Sequence, residues 1–255
     1  SLRTLANRNK HIRHNRGRHR NMPRQTAGRL KTHLPPALTN KENEMTPREI
    51  LTAGPVVPVI AIDDPQTAVG LAQALMDGGI RVLEITLRTP AAIEAIRRIK
   101  REVPAAIVGA GTVINAAQLK AVTEAGAMFA ISPGINTPFA QAAAAADIPV
   151  IPGVSGAGEL MLALEYGFDT VKLFPAEAVG GIKMLKALHG PFPQVRFCPT
   201  GGIAPAAAPD YLAQPNVLCV GGSWLTPAQL VAEKNWHAIT ELAEQSARLK
   251  PAPHR

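Results

Sequence analysis

One lysine stands in a segment that otherwise has the composition of a buried strand. Lys172 lies in TVKLFPA (170–176), directly between Val171 and Leu173. Lysine is rarely buried unless it is paired or functional. Apolar surroundings disfavour the ammonium form, so we expect a pKa lowered towards ~7–8 and a nucleophilic amine at neutral pH. The alternative is a lysine at a strand end whose amine reaches solvent.

Three polar residues alternate with apolar ones in VLEITLR (82–88). Glu84, Thr86 and Arg88 have the period of two that places side chains on one face of a strand. Arginine suits bidentate binding of a substrate carboxylate. A glutamate with a raised pKa suits proton transfer next to a carbonyl. A buried structural ion pair between Glu84 and Arg88 is the competing interpretation.

Small residues end three further apolar runs. GAGT (109–112) combines glycines, which permit close backbone approach, with the Thr112 hydroxyl, a donor for a carboxylate; a plain turn explains it equally. PTGG (199–202) and VGGS (220–223) each contain paired glycines, and Ser223 ends the second. Bare glycine amides can bind phosphate oxygens, although each pair could also only form a tight turn.

The remaining candidate ligands do not form a site. Cys198 and Cys219 lie in apolar runs, which is typical of core residues. His189, His237 and His254 have no ligand spacing, and no pattern resembles a zinc site. We therefore expect neither a metal nor another cofactor.

The elements that must position these residues alternate regularly. Ala- and Leu-rich stretches with helical spacing separate eight β-branched runs, at 56–62, 81–87, 105–112, 128–134, 148–154, 170–176, 195–202 and 217–223. Near-continuous apolar strands indicate a parallel sheet covered by helices. Eight units predict one (β/α)₈ TIM barrel over residues 45–255, with its site at the carboxyl ends of the strands and its phosphate site after strands seven and eight. A doubly wound open sheet is the alternative. MTPREILTAG (45–54) predicts a capped N-terminal helix.

The net charge of +8 is unevenly distributed. Residues 1–44 carry 11 of the 27 basic residues and two of the 19 acidic ones, so this segment is +9 and the remainder is −1. Few apolar residues and no helical pattern predict a disordered basic extension upstream of Met45. We expect it to bind nucleic acid at most nonspecifically, through phosphates. No stretch approaches ~18 apolar residues, which argues against a membrane span. Two cysteines favour a reducing compartment, the cytoplasm.

In these motifs the chain resembles the bacterial aldolase family that acts on 2-keto-3-deoxy-6-phosphogluconate (KDPG) and 4-hydroxy-2-oxoglutarate (KHG). The resemblance extends from about Ile50 to Leu230 and rests on motifs in the same order. These are GPVVPVI, GGIRVLEITLRT, AIVGAGTVIN, AGAMFAISPG, IPGVS, ELMLALEYG, KLFPAE, GPFPQVRFCPTGGI and VLCVGGSWL. It implies a homotrimeric barrel with class I aldolase activity on a 2-keto acid.

The resemblance also implies roles for particular residues. Lys172 would be the Schiff-base lysine and Glu84 the general acid and base. The carboxylate of the keto acid would bind Arg88 and Thr112, and Pro133 would line the pocket. The phosphate would bind the remaining matched residues, Gly201, Gly202 and Ser223. One departure is Val179, where the family pattern has asparagine.

Three rival functions share some of these features. A phosphate-binding barrel isomerase or synthase would need the glycine pairs but not a lone strand lysine. A nucleic-acid binder would use residues 1–44. An aldolase for the galactonate epimer, 2-keto-3-deoxy-6-phosphogalactonate, would have the same catalytic residues, because the choice of epimer depends on small displacements around C4.

Overall fold

The structure is a computed structural model that describes residues 45–251. The predicted basic extension, residues 1–44, lies outside the described residues. Strands and helices alternate along the described chain. The strands are β1 (Val56–Ile60), β2 (Val82–Thr86), β3 (Ile107–Gly111), β4 (Ala130–Ile131), β5 (Val150–Ile151), β6 (Gly153–Val154), β7 (Thr170–Leu173), β8 (Arg196–Pro199) and β9 (Val220–Gly222). The helices are α1 (Pro47–Thr52), α2 (Ala68–Asp77), α3 (Ala92–Glu102), α4 (Ala116–Glu124), α5 (Thr137–Ala144), α6 (Ala157–Glu165), α7 (Gly181–His189), α8 (Ala208–Leu212), α9 (Ala228–Ala232) and α10 (Trp236–Ala247).

The strands form two parallel sheets. One has the order β5-β4-β3-β2-β1-β9 and the other β6-β7-β8. Isolated bridges from Phe197 to Val217 and from Thr200 to Gly221 connect β8 with the segment that contains β9. Each of the eight predicted runs contains a strand, and the predicted α/β class with parallel strands is confirmed. The run at 148–154 contains two short strands, because Pro152 between them has no N–H to donate.

Alternate side chains of the strands belong to two apolar clusters. We call these the outer cluster, to which the helices contribute, and the inner cluster. In β2, Leu83 and Ile85 belong to the outer cluster and Val82 belongs to the inner cluster. This alternation follows from the strand period of two. Both faces of the sheets are therefore buried, as is typical of parallel sheets. The inner cluster comprises Ile50, Leu51, Val57, Val82, Ile107, Phe129, Ile131, Ile151, Cys198, Leu218 and Cys219.

The predicted N-terminal helix is present as α1. The Thr46 side chain accepts a hydrogen bond from the Glu49 amide at 3.2 Å, and Glu49 Oε2 accepts one from the Thr46 amide at 2.7 Å. This reciprocal capping box satisfies amides that the first helical turn leaves unpaired. Ile50 and Leu51 of α1 are buried in the inner cluster, so the helix closes one side of that cluster.

Helix α3 shows how the helices cover the outer faces of the strands. Its buried residues are Ala92, Ala95, Ile96 and Ile99, at the spacing of three and four that forms one helical face. Within residues 45–251, none of the helices combines the length and apolar character that crossing a membrane requires.

Candidate active site

A lysine and a glutamate from two strands meet on the inner face of the sheets. Lys172 in β7 is 4% exposed and Glu84 in β2 is 2% exposed. The Lys172 Nζ donates a hydrogen bond to Glu84 Oε1 at 3.0 Å. The low exposure excludes a solvent-directed lysine. Burying two charges is costly unless they pair, so this pair is a candidate for function.

Gly111 provides the space for the Glu84 carboxylate. A Cβ placed on Gly111 would lie 2.2 Å from Glu84 Oε1 and 2.7 Å from its Cγ. Real Cβ contacts of this length do not occur, so no larger residue fits here while the carboxylate keeps its position. The register pairs Thr86 with Gly111 across β2 and β3, and the Thr86 hydroxyl donates to the Ile60 carbonyl at 2.8 Å. The Glu84 carboxylate therefore sits in a position built by the neighbouring strand.

Thr112 and Arg88 follow the carboxyl ends of β3 and β2. Thr112 is half-buried and has a φ of 60°, which is rare for a β-branched residue and marks a strained position of the kind found at functional sites. Arg88 lies in the turn after β2, where it is exposed and forms no ion pair or hydrogen bond with any of residues 45–251. The alternative of a buried pair between Glu84 and Arg88 is wrong, because Glu84 pairs with Lys172 instead.

Pro133 lies close to the strand that neighbours Lys172. It is half-buried after β4, and a Cβ placed on Gly153 would lie 2.4 Å from the Pro133 carbonyl carbon. Gly153 is in turn the register partner of Lys172. The buried Ser132 supports this approach, because its hydroxyl accepts from the Gly153 amide at 3.2 Å and donates to the Gly134 carbonyl at 2.7 Å. Pro133 thus lies beside the strand that pairs with the lysine strand, and its place in the pocket stays a prediction.

The two glycine pairs follow β8 and β9. Gly201 and Gly202 have φ values of 104° and 80°, a region that favours glycine. The amides of Gly201, Gly202 and Ser223 donate to no backbone acceptor among residues 45–251. Ser223 is exposed. The isolated bridge between Thr200 and Gly221 brings the ends of β8 and β9 together, so these amides lie at one edge of the sheets.

Two residues that we did not single out from the sequence lie between these groups. The Phe174 ring centroid is 5.4 Å from Lys172 Nζ, and the same ring would lie 3.3 Å from a Cβ placed on Gly201. The Thr200 hydroxyl is buried, and a Cβ on Gly221 would lie 2.1 Å from it. Both follow apolar strand residues directly, and this adjacency was their only signal in the sequence.

The two cysteines lie where the sequence interpretation expects them. Cys198 and Cys219 are free and buried within the inner cluster, as predicted for core residues. Burial raises the pKa of the Cys219 thiol well above its usual value, which favours a neutral thiol. Among residues 45–251, no three His, Cys, Asp or Glu side chains are grouped as metal ligands.

The described part of the chain matches a known protein family and several of its members. The family model described as KDPG and KHG aldolase matches residues 48–242. The chain belongs to this aldolase family. The KHG/KDPG aldolase of Escherichia coli K12 is 58% identical over 197 residues, which cover 77% of this chain and 92% of that protein. The 2-dehydro-3-deoxy-phosphogluconate aldolase of Dickeya dadantii is also 58% identical, over 78% of this chain and 93% of the relative.

A solved structure of the same family has a similar fold. It is a KDPG aldolase from Legionella pneumophila with pyruvate captured at low pH as a covalent carbinolamine intermediate. It is 49% identical, covers 80% of this chain and 98% of its own, and superposes with a TM-score of 0.78. Val179, the departure from the family pattern, is half-buried and packs on the outer cluster.

Proposed function

We propose that this chain is a class I aldolase that cleaves KDPG to pyruvate and glyceraldehyde 3-phosphate, and KHG to pyruvate and glyoxylate. The observation that carries the proposal is the buried contact of 3.0 Å between Lys172 Nζ and Glu84 Oε1. A phosphate-binding isomerase or synthase needs no such lysine. Family membership and the covalent pyruvate adduct of the Legionella pneumophila relative support the same chemistry.

In the proposed mechanism, Lys172 is the nucleophile and Glu84 carries the proton between the substrate atoms. The neutral Lys172 amine attacks C2 of the keto acid, and loss of water gives an iminium. Glu84 takes the proton of the C4 hydroxyl, directly or through a water, while the electrons of the C3–C4 bond enter the iminium. The aldehyde leaves, Glu84 protonates the resulting enamine at C3, and hydrolysis of the iminium releases pyruvate. Proton transfer by a positioned side chain is worth ~10²–10⁴ in rate.

The two remaining groups of residues bind the two ends of the substrate, its carboxylate and its phosphate. Arg88 and Thr112 bind the carboxylate, because an exposed guanidinium follows the strand of Glu84 and a hydroxyl follows the neighbouring β3. Pro133 lines the pocket beside them. The amides of Gly201 and Gly202, together with Ser223, bind the phosphate. The support for this last assignment is that these amides have no backbone partner among residues 45–251.

We infer that β1 to β9 form one closed (β/α)₈ barrel, in which β5 and β6 are two halves of one strand. The Pro152 carbonyl supports this, since it accepts from the Lys172 amide at 2.9 Å and so continues the pairing through the interruption. The bridges between β8 and the β9 segment support closure on the other side. The inner cluster, which α1 covers, has the composition of a barrel interior.

We further propose a homotrimer in the cytoplasm, as the family resemblance implies. The large apolar side chains that are exposed within residues 45–251, Ile114 and Met161, are candidates for the subunit contact. Sedimentation equilibrium would test this assembly. The expected mass is three times that of the chain, and a monomer at micromolar concentration would contradict the proposal.

Borohydride reduction in the presence of pyruvate tests the proposed chemistry directly. We expect one covalent adduct, which peptide mass mapping places on Lys172. Lys172→Met abolishes trapping and cleavage, whereas the matched variant Lys186→Met, at an exposed lysine of α7, retains both. EDTA leaves turnover unchanged, because the iminium replaces a Lewis acid as the electron sink. An adduct on another lysine, or loss of turnover on chelation, would refute the class I assignment.

A further inference from the structure

A tyrosine on an outer helix reaches the loop that follows the lysine strand. Tyr211 in α8 is buried, and its hydroxyl donates a hydrogen bond to Glu177 Oε1. Burial and then the hydrogen bond with Glu177 raise the pKa of Tyr211, so the hydroxyl remains a donor at neutral pH. This contact joins α8 to the segment between β7 and α7, which the proposed mechanism does not use.

The backbone and the stem of Glu177 contact the proposed phosphate-binding turn. The Glu177 amide donates to the Gly201 carbonyl at 3.1 Å. A Cβ placed on Gly202 would lie 2.9 Å from Glu177 Cβ and 3.0 Å from its Cγ. The position of the turn at Gly201 and Gly202 therefore depends on where Glu177 is held.

Gly181 leaves room for the tyrosine hydroxyl. A Cβ on Gly181 would lie 2.5 Å from Tyr211 Oη, and Gly181 has a φ of 53°. A glycine at this position thus allows the hydroxyl to reach Glu177.

The hydrogen bond from Tyr211 also has an electrostatic consequence. A Glu177 carboxylate without this hydrogen bond is free to turn towards a bound phosphate, which has like charge. Tyr211 keeps the Glu177 carboxylate on the side of α8.

We propose that Tyr211 is a positioning residue for the phosphate end of the substrate: through its hydrogen bond to Glu177 it holds the Gly201–Gly202 turn in its binding conformation. This inference rests on the proposed function. It assigns Tyr211 no contact with the reacting atoms, so its effect falls on the binding of phosphorylated substrates and leaves the chemistry at Lys172 unchanged.

Steady-state kinetics of Tyr211→Phe tests the inference, since this variant keeps the buried ring and removes only the hydroxyl. We expect KM for KDPG to rise about fivefold to tenfold, with kcat within about twofold. This is less than the full effect of losing a hydrogen bond to a charged group, because the hydroxyl acts on the phosphate only through Glu177. Both constants for KHG, which has no phosphate, stay unchanged. Tyr166→Phe is the matched control, because Tyr166 directly follows α6 and its hydroxyl forms no hydrogen bond with residues 45–251.

Variants of Glu177 separate positioning from a general loss of structure. Glu177→Gln keeps an acceptor for the tyrosine and retains a KM for KDPG close to that of the unmodified chain. Glu177→Ala raises this KM as Tyr211→Phe does, and combining the two substitutions adds nothing further. Additive effects, equal losses on KDPG and KHG, or no change with either would overturn the inference. Pyruvate trapping at Lys172 stays intact in every variant, so a failure of the proposed function, seen as absent trapping in the unmodified chain, is distinguishable.

Discussion

The Glu84 carboxylate occupies the space that a side chain at residue 111 would need. We predict that Gly111→Ala lowers kcat/KM for KDPG by about 10²-fold or more, because the added methyl displaces the proposed general acid and base. The measurement is steady-state cleavage together with thermal unfolding. Gly158→Ala in α6 is the control, since a Cβ there meets nothing within 4 Å.

This experiment distinguishes a catalytic role of Glu84 from a structural one. If Gly111→Ala unfolded the chain, the carboxylate would be part of the packing. If the variant kept both its fold and full activity, Glu84 would not be the proton carrier, since its position would have changed without effect.

Thr112 combines a strained backbone with a proposed contact to the substrate carboxylate. Its φ of 60° costs about 1–3 kcal/mol for a residue other than glycine. Thr112→Gly relieves that strain but removes the hydroxyl and adds about 1 kcal/mol of chain entropy to the unfolded state. We therefore predict a free energy of unfolding that is unchanged or raised by up to about 2 kcal/mol. We also expect a higher KM for both 2-keto acid substrates, KDPG and KHG.

Thr112→Ser is the matched variant, because it retains the hydroxyl. We expect it to keep a KM close to that of the unmodified chain in the same assay. A Thr112→Gly variant that is destabilised and keeps the KM of the unmodified chain would contradict both claims. It would show that the backbone of Thr112 is not strained and that its hydroxyl does not bind the substrate.

At the scale of elements, the residue types predicted the strands because the runs are short and apolar and most of them are rich in β-branched residues. The period of two also predicted that Glu84 and Thr86 share a face. It did not apply to Arg88, because β2 ends at Thr86 and the chain turns before Arg88. The contact between Tyr211 and Glu177 had no signal in the sequence, since it depends on how α8 packs beside two loops. The closed barrel and the roles of the site residues stay predictions.

Helix α1 depends on its capping box and covers the inner cluster. We predict that Thr46→Ala lowers the free energy of unfolding by about 1 kcal/mol, the usual cost of removing such a cap. Chemical denaturation at neutral pH measures this difference. Thr52→Ala, at the other end of α1, is the control for a general effect of removing a threonine from this helix.

The same cap predicts a dependence on pH. The hydrogen bond from the Thr46 amide lowers the pKa of Glu49 below 4.5. A carboxyl group with a lowered pKa in the folded state stabilises that state above its unfolded pKa, and this stabilisation is lost as the pH falls through the lowered value. Thr46→Ala keeps this amide but removes the hydroxyl, which also donates to Glu49 Oε2, at 2.9 Å, and contributes to the lowered pKa. The difference in the free energy of unfolding between this variant and the unmodified chain should therefore shrink in part as the pH falls through the lowered pKa of Glu49. A difference that is constant between neutral pH and this range would show that Glu49 does not contribute.

At the scale of the whole molecule, charge and chemistry belong to different parts of the chain. Residues 1–44 have a net charge of +9 and the remainder has −1, which together give the +8 of the chain. The remainder contains every proposed site residue from Glu84 to Ser223. The family model also matches only within this remainder, at residues 48–242. The basic segment therefore has no role in the proposed reaction. Its positive charge favours nonspecific binding to the phosphates of nucleic acid.

We predict that a chain starting at Met45 has a kcat/KM for KDPG within about twofold of that of the full chain, because every proposed contact to substrate and every cap of α1 lies within residues 45–251. Binding of duplex DNA, measured by fluorescence anisotropy at several salt concentrations, should be detectable for the full chain only. It should weaken steeply as the salt concentration rises, since counterion release drives such binding.

A loss of activity above tenfold on truncation would show that residues 1–44 contribute to the site or to the assembly. In that case the division between a basic extension and a catalytic body would have to be withdrawn, because this division assigns DNA binding to residues 1–44 and activity to the remainder.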